Sequence, residues 1–354
     1  ADKKSTMPIL ANVLISAEKD SVRVSATDLA VSLTGACAAS TLKPGSVAVS
    51  AGDVAQRVAA MPDGDVMLSF DSTKGELTIA AKSSARRFTL PALDGAEFPE
   101  IARPVDGECA MVPALTLAKL LAMTHFAIST DETRLHLSAA LFESLDARLR
   151  VVATDGHRLS LAESDAPEVK PSPSFLVPGK AVRGLRALCD ESLSRSDDES
   201  VSIQQAGPMV HFQLAGYQFS AKIADASFPP YRQVIPDKHD NETTVSRPSF
   251  LGMLKAVSLS ASDRTGGVKV SAEKGKLRVS SESPESGAGS DECSAEHKGG
   301  SVEFGANAKY IIDVLGALSS DQVVIETSKE DLTPIVIRAN ESTDYTAVIM
   351  PMRV

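Results

Sequence analysis

The chain has no tryptophan, and Phe and Tyr make up only 4% of its 354 residues. Aromatic faces on which unpaired bases could stack are therefore scarce, which argues against a single-strand binding platform. Excess positive charge is also missing. Lys and Arg number 36 against 46 Asp and Glu, a formal net charge of −10. That balance argues against tight sequence-independent binding to nucleic acid by bulk electrostatics. The four cysteines, Cys37, Cys109, Cys189 and Cys293, lie far apart with no C-x-x-C spacing. Neither a structural zinc site nor a disulfide framework is expected, and a reducing cytoplasm is the better setting. No apolar run approaches the ~20 residues of a membrane span, and a signal peptide before the first strand is not expected.

What the chain does have is period-two alternation broken by short helical stretches. Residues 8–33 alternate, with Glu18, Lys19 and Asp20 as a polar turn, and 47–50 form a further strand. Helical spacing of Val54, Val58 and Met61 predicts a helix over 51–61, ended by Pro62-Asp-Gly-Asp. Strands follow at 65–70, 76–81 and 86–91. A helix over 115–128 is expected to bury Leu117, Leu120, Leu121 and Phe126. Next come strands at 134–143 and 149–163, a proline-rich loop over 167–173 and a helix over 180–190. Strands near 200–205, 209–214 and 217–224 precede a polar stretch at 237–242 that reads as a linker. Helices over 248–260 and 308–318 and strands at 267–272, 276–281, 322–327, 333–339 and 343–350 complete the pattern.

These elements repeat. Val22-Arg-Val-Ser-Ala-Thr-Asp28, Leu149-Arg-Val-Val-Ala-Thr-Asp155 and Leu277-Arg-Val-Ser-Ser-Glu-Ser283 recur after 127 and 128 residues. The strand-to-helix junctions at Val49, Val177 and Phe304 recur after 128 and 127 residues, and the last strands, at Phe88, Phe219 and Tyr345, after 131 and 126. Independent landmarks agree on one period, so the chain is read as three copies of one α+β domain, 1–106, 107–236 and 237–354. Copies two and three open with a helix that copy one lacks. Counting back one period puts that helix before residue 1, so copy one is expected to be short of about 20 residues.

The stretch around Asp155-Gly156 reads as two antiparallel strands joined by a tight turn, since Gly accepts the positive φ such a turn needs. It also carries Asp155, His157 and Ser160, which invites a hydrolytic triad. On a strand, 155, 157 and 159 share one face, so Ser160 points away from His157, and copy one carries no His after its Thr-Asp. Catalysis is not expected. His125, His136 and His157 lack ligand spacing, so neither a metal nor another cofactor is expected.

The repeat and its motifs resemble the bacterial sliding clamps, the beta subunits of replicative DNA polymerase III. The resemblance rests on Thr6-Met-Pro-Ile-Leu-Ala-Asn-Val-Leu, Ala153-Thr-Asp-Gly-His-Arg-Leu159, Phe228-Pro-Pro-Tyr-Arg-Gln-Val-Ile-Pro236, Asn307-Ala-Lys-Tyr310 with Asp313-Val-Leu, and Met350-Pro-Met-Arg-Val354. It implies three clamp domains, each with two helices packed on antiparallel sheets. It also implies a head-to-tail homodimer ring that encircles double-stranded DNA without reading its sequence, and no enzyme activity. The replicative polymerase, the clamp loader, other polymerases and repair proteins would dock through short peptides.

By the same resemblance the docking groove comprises Leu137, Thr154, Gly156, His157, Arg158, Leu159, Pro229, Val234, Asn307, Tyr310, Leu332, Pro334, Val348, Met350, Pro351, Met352 and Arg353. Leu137, Leu159, Val234 and Leu332 would form an apolar floor, with Met350 and Met352 able to re-pack around different ligands. Thr265, where a bulkier side chain can occur, Pro230, where Asp is common, and Gln233, where Arg can stand, depart from the family's pattern. Lys4, Arg57, Lys119, Arg134, Lys180, Arg183 and Lys309 are the candidate DNA-facing cations. The alternative is a non-enzymatic interaction scaffold that does not encircle DNA.

Overall fold

A computed structural model describes every residue except 1–5, 146, 167–171, 197, 331, 341–342 and 354. The expected loop at 167–173 falls mostly on residues outside that description, as does Lys4. The chain divides into two compact units, one of residues 1–111 and 195–222, the other of 112–194 and 223–354. Copy two is thus shared between them.

Five α-helices are described: α1 (Ala51–Ala59), α2 (Ala114–Thr124), α3 (Gly179–Leu193), α4 (Arg247–Val257) and α5 (Ala308–Ala317). Local chemistry starts three of them. Ser50, Ser246 and Asn307 each accept a hydrogen bond from a first-turn backbone N–H of α1, α4 and α5, supplying a partner that helix geometry leaves unmet.

In the first unit, strands Asn12–Glu18, Ser21–Thr27 and Val31–Ala38 form a meander whose first member also pairs with Gly45–Ser50. Beyond α1, Val66–Asp71, Glu76–Ala81 and Arg87–Asp94 form a second meander. Ile15, Val47, Val49, Leu77, Ile79 and Leu90 close one core over them. Val31–Ala38 then pairs antiparallel with Tyr217–Lys222, whose other neighbour is Met209–Leu214, itself paired with Ser200–Ala206.

The second unit repeats this plan. The order runs from Ser172–Pro178 through Ala139–Leu145, Arg148–Thr154 and Arg158–Asp165 to Tyr345–Ile349, Ile335–Ala339, Gln322–Thr327 and Asn241–Ser246. It ends with Gly287–Lys298, Gly275–Ser283, Gly267–Glu273 and Val302–Asn307. Helices α2 and α3 pack on each other, as do α4 and α5. In both pairs the second helix leads into a three-strand meander, as triplication requires.

Five sequence expectations shift. Residues 8–11 are a 3-10 turn, opened by Pro8, and the first strand starts at Asn12. The run 22–33 is two strands, because Thr27-Asp28 turns the chain. Residues 134–138 are a turn and the strand starts at Ala139, since the Arg134 carbonyl takes the N–H groups of Leu137 and Ser138. The 115–128 helix ends at Thr124 in a 3-10 turn, which leaves Phe126 half-buried while Leu117, Leu120 and Leu121 are buried. The polar 237–242 stretch is only partly a linker. Asn241 is buried, opens a strand and accepts from Gly300 N–H. Two strands, Ala110–Pro113 and Gly287–Lys298, are not foreshadowed by the sequence pattern at all; the second is the longer. Its polar, glycine-containing run lacks apolar alternation and is held by its ladder to Gly275–Ser283.

The same turn is built twice. Thr27 Oγ1 donates to the Val31 carbonyl and accepts from Leu29 N–H, while Asp28 Oδ1 accepts from Ala30 and Val31 N–H. Thr154 Oγ1 donates to the Arg158 carbonyl and accepts from Gly156 N–H, while Asp155 Oδ1 accepts from His157 and Arg158 N–H. The residue after Asp has φ +90° in Gly156 and +74° in Leu29. A leucine there carries left-handed backbone strain of roughly 1–2 kcal/mol, offset in glycine by unfolded-state entropy. Leu29→Gly is therefore expected to raise stability by about 0.5–1 kcal/mol, read as a higher denaturation midpoint.

In the first unit His211 is buried, with Nδ1 2.7 Å from Ser220 Oγ, and burial lowers its pKa from 6.5. The unfolded state then binds a proton before the folded state does. His211 thus adds stability that is intact above pH 6.5 and lost as pH falls through the lower folded value. His125 shifts the same way, through burial and then Arg186. Stability should decline below pH 6.5, and His211→Gln should flatten part of that decline in denaturation titrations at several pH values.

Candidate docking groove

The turn at Thr154-Asp155 aims its flanking residues at one place. Leu137, Thr154, Gly156, Arg158, Leu159, Pro229, Val234, Val348 and Met350 line a cavity of about 200 Å³, together with Pro230, Tyr231 and Gln233. All lie in the second unit. Pairing of Leu159 with Val348 brings copies two and three together at the floor. Leu159 and Val348 are 3% and 2% exposed, whereas Val234 and Met350 are 45% and 41% exposed at the mouth. The floor is buried and the rim is exposed.

A second cluster adjoins it. His157 stacks on Tyr310 with ring centroids 6.5 Å apart, and the His157 carbonyl accepts from Met350 N–H at 2.9 Å. Burial, then the Asp155 carboxylate, raises the Tyr310 pKa. Asn307 caps α5 through Lys309 N–H and donates to the Thr265 carbonyl. Met352 N–H donates to the Gly305 carbonyl, which ties down the chain end.

Arg158 links the two clusters. Its side chain is 8% exposed and its charge is answered twice, by Asp155 at 3.1 Å and by Asp313 of α5 at 2.7 Å. Nη2 also donates to the Phe126 carbonyl. The guanidinium lies 4.5 Å from the Tyr310 ring centroid and 5.3 Å from that of Phe126. Leaving such a buried cation unpaired would cost about 3–5 kcal/mol.

Not every expected residue joins the cavity. Leu332 and Pro334 do not line it; Leu332 is 55% exposed. Pro351 and Met352 are half-buried and Arg353 is exposed, all outside the cavity lining. Tyr231 is a wall that the sequence reading does not include. It is buried, with its hydroxyl donating to Glu143 at 2.6 Å and accepting from Arg150 at 3.1 Å. Its place in Phe228-Pro-Pro-Tyr was the available signal, because two prolines stiffen the chain beside it. Ser160 is buried, donates to the Met123 carbonyl and bonds the Tyr345 hydroxyl at 2.9 Å, so it is structural.

Arg57 pairs with Asp53, Arg134 with Asp131 and Lys309 with Asp313. Lys119, Lys180 and Arg183 are exposed on α2 and α3.

Three consecutive domain descriptions account for nearly all of the chain. The N-terminal domain of the DNA polymerase III beta subunit matches residues 1–102, its central domain 111–230 and its C-terminal domain 232–353. The chain belongs to the DNA polymerase III beta-subunit family. Among its relatives, the beta sliding clamp of Caulobacter vibrioides is 32% identical over 359 residues, covering 100% of this chain and 94% of the relative. That of Pseudomonas aeruginosa is 28% identical, covering 99% and 94%. A crystal structure of the Pseudomonas aeruginosa DNA polymerase III subunit beta superposes with TM-score 0.91 at 26% identity, covering 100% of this chain and 94% of that one. A Bartonella birtlesii sliding clamp bound to griselimycin superposes with TM-score 0.90 at 34% identity and the same coverage.

Proposed function

We propose that this chain is a DNA sliding clamp, a processivity factor that closes as a head-to-tail dimer around double-stranded DNA and tethers the replicative polymerase. The observation that carries the ring is a junction repeated in register. Val31–Gly35 pairs with Ala221–Tyr217, and Arg158–Ala162 pairs with Ile349–Tyr345, five residues each time. In both cases the strand after the Thr-Asp turn meets the last strand of the following copy. One chain has three copies but, among the described residues, only two such junctions. The strands in the corresponding positions that lack such a junction are Gly287–Lys298 of copy three and Arg87–Asp94 of copy one. Among the described residues, 287–294 and 87–91 each have a strand partner on one side only. Open edges attract a strand. Two chains joined head to tail satisfy both pairs and close the assembly.

Encirclement reconciles DNA with an acidic chain. A ring holds DNA by topology, so the exposed cations of α2 and α3 need only make weak, salt-screened phosphate contacts that permit sliding. The domain limits near 106 and 237 and a cytoplasmic setting belong to the same reading.

The cavity between copies two and three is the docking groove for short extended peptides of the polymerase, clamp loader and repair proteins. Its apolar floor and adaptable Met rim suit one or two Leu or Phe anchors, each worth roughly 1.5–3 kcal/mol. The griselimycin-bound relative supports a ligand site in clamps of this kind.

Two outcomes test these claims. Sedimentation should give a dimer that is retained on circular but not linear DNA; a monomer without such retention would favour the scaffold alternative. In anisotropy titrations with a glutamine-containing peptide ending in Leu and Phe, Leu159→Asp or deletion of 350–354 should abolish binding. Unchanged affinity would move the groove elsewhere.

A further inference from the structure

Asp313 lies on α5, outside the lining of the cavity, yet it holds the side chain on which the cavity wall depends. Arg158 reaches the groove through its position directly after the Thr-Asp-Gly-His turn, and the far end of its side chain is spent on other groups. Nε donates to Asp155 Oδ2 at 3.1 Å, Nη1 to Asp313 Oδ2 at 2.7 Å and Nη2 to the Phe126 carbonyl. Asp155 is itself the residue that closes the turn, through Oδ1. One carboxylate thus locks the backbone of the hairpin, and the guanidinium fastens that carboxylate to α5.

Lys309 also reaches Asp313 Oδ2, at 2.7 Å. Its side chain is 71% exposed, against 8% for Arg158. A pair with a solvated lysine is weak, while an arginine fork in a buried setting imposes direction as well as charge. Asp313 therefore matters chiefly to Arg158. The link spans copies two and three: Asp155 and Arg158 stand on the hairpin of one, Asp313 and Tyr310 on the helix of the other.

We propose that Asp313 is a positioning residue of the peptide groove: through Arg158 it sets the angle of the 154–159 hairpin against α5, and so the width of the cavity, without touching the peptide. This rests on the reading of that cavity as a peptide groove. The physical reason is preorganisation, since a groove held at its bound width does not spend binding energy on ordering its walls. It also separates two roles that Arg158 combines. The aliphatic stem contributes apolar wall, and the charged end contributes geometry.

The experiment is peptide titration by anisotropy alongside thermal melting, on the whole chain, at a temperature where circular dichroism reports every variant folded. The peptide is again glutamine-containing and ends in Leu and Phe. Asp313→Asn, which keeps shape and loses charge, should weaken binding about tenfold, and Asp313→Glu should restore most of it. The double replacement Arg158→Met with Asp313→Leu puts an apolar pair where the ions were, a change that buried pairs often tolerate in stability. It should melt near the wild-type temperature yet bind the peptide as weakly as Asp313→Asn. A merely structural Asp313 would lower the melting temperature and leave affinity within twofold, and that result overturns the proposal. Recovery of affinity in the double variant would overturn it too. If the unaltered chain fails to bind the peptide, the groove reading falls and this inference with it; if it binds and Asp313→Asn binds equally, only the inference falls.

Discussion

Backbone groups at the edge of a sheet must find partners, and that requirement organises this molecule. In copies one and two, the strand after the Thr-Asp turn has outer N–H and C=O groups that its own copy does not pair. Pairing Val31–Gly35 with Ala221–Tyr217, and Arg158–Ala162 with Ile349–Tyr345, satisfies those groups between copies rather than within them. Copy two is consequently divided between the two compact units. A domain drawn from sequence repeats and a unit drawn from packing are different objects here, because the ladders that bind copies together are as continuous as those inside each copy.

The junction also explains where the cavity sits. Its floor is the ladder itself, Leu159 against Val348, and its wall is the turn that feeds that ladder. The turn is local chemistry: Thr and Asp side chains capture backbone groups two to four residues on, in copy one and copy two alike. The two turns diverge in the residues just past Asp. Copy two places Gly156 at positive φ and Arg158 over Tyr310, where copy one places Leu29 and Val31. The same turn thus lines the cavity in copy two with residues that copy one does not carry.

Charge is handled sparingly. Arg57–Asp53 and Lys309–Asp313 are four residues apart on their helices, so those pairs were readable from spacing. Their exposed setting limits what each contributes, whereas the Arg148, Arg150, Glu143, Glu163 and Tyr231 network is partly buried and ties the hairpin to the 228–234 segment. Nothing in the spacing of those residues announces that they converge. They lie on three different strands and a loop, and only the register of the sheet aligns them.

The sequence by itself determined the repeat, the helix positions and most strands, because alternation, helical spacing and Thr-Asp turns are local properties of ten or so residues. It also marked the cavity's apolar members, Leu137, Leu159, Val234 and Met350, through motifs shared with a family. Gly287–Lys298 escaped it, since a strand that owes its existence to a neighbouring ladder needs no apolar period of its own. The tertiary structure alone decided that Tyr231 would be a wall, that Leu332 would stand apart, and that Arg158 would be answered by a carboxylate 155 residues away. Such contacts depend on how copies pack edge to edge, and that information is spread over the whole chain.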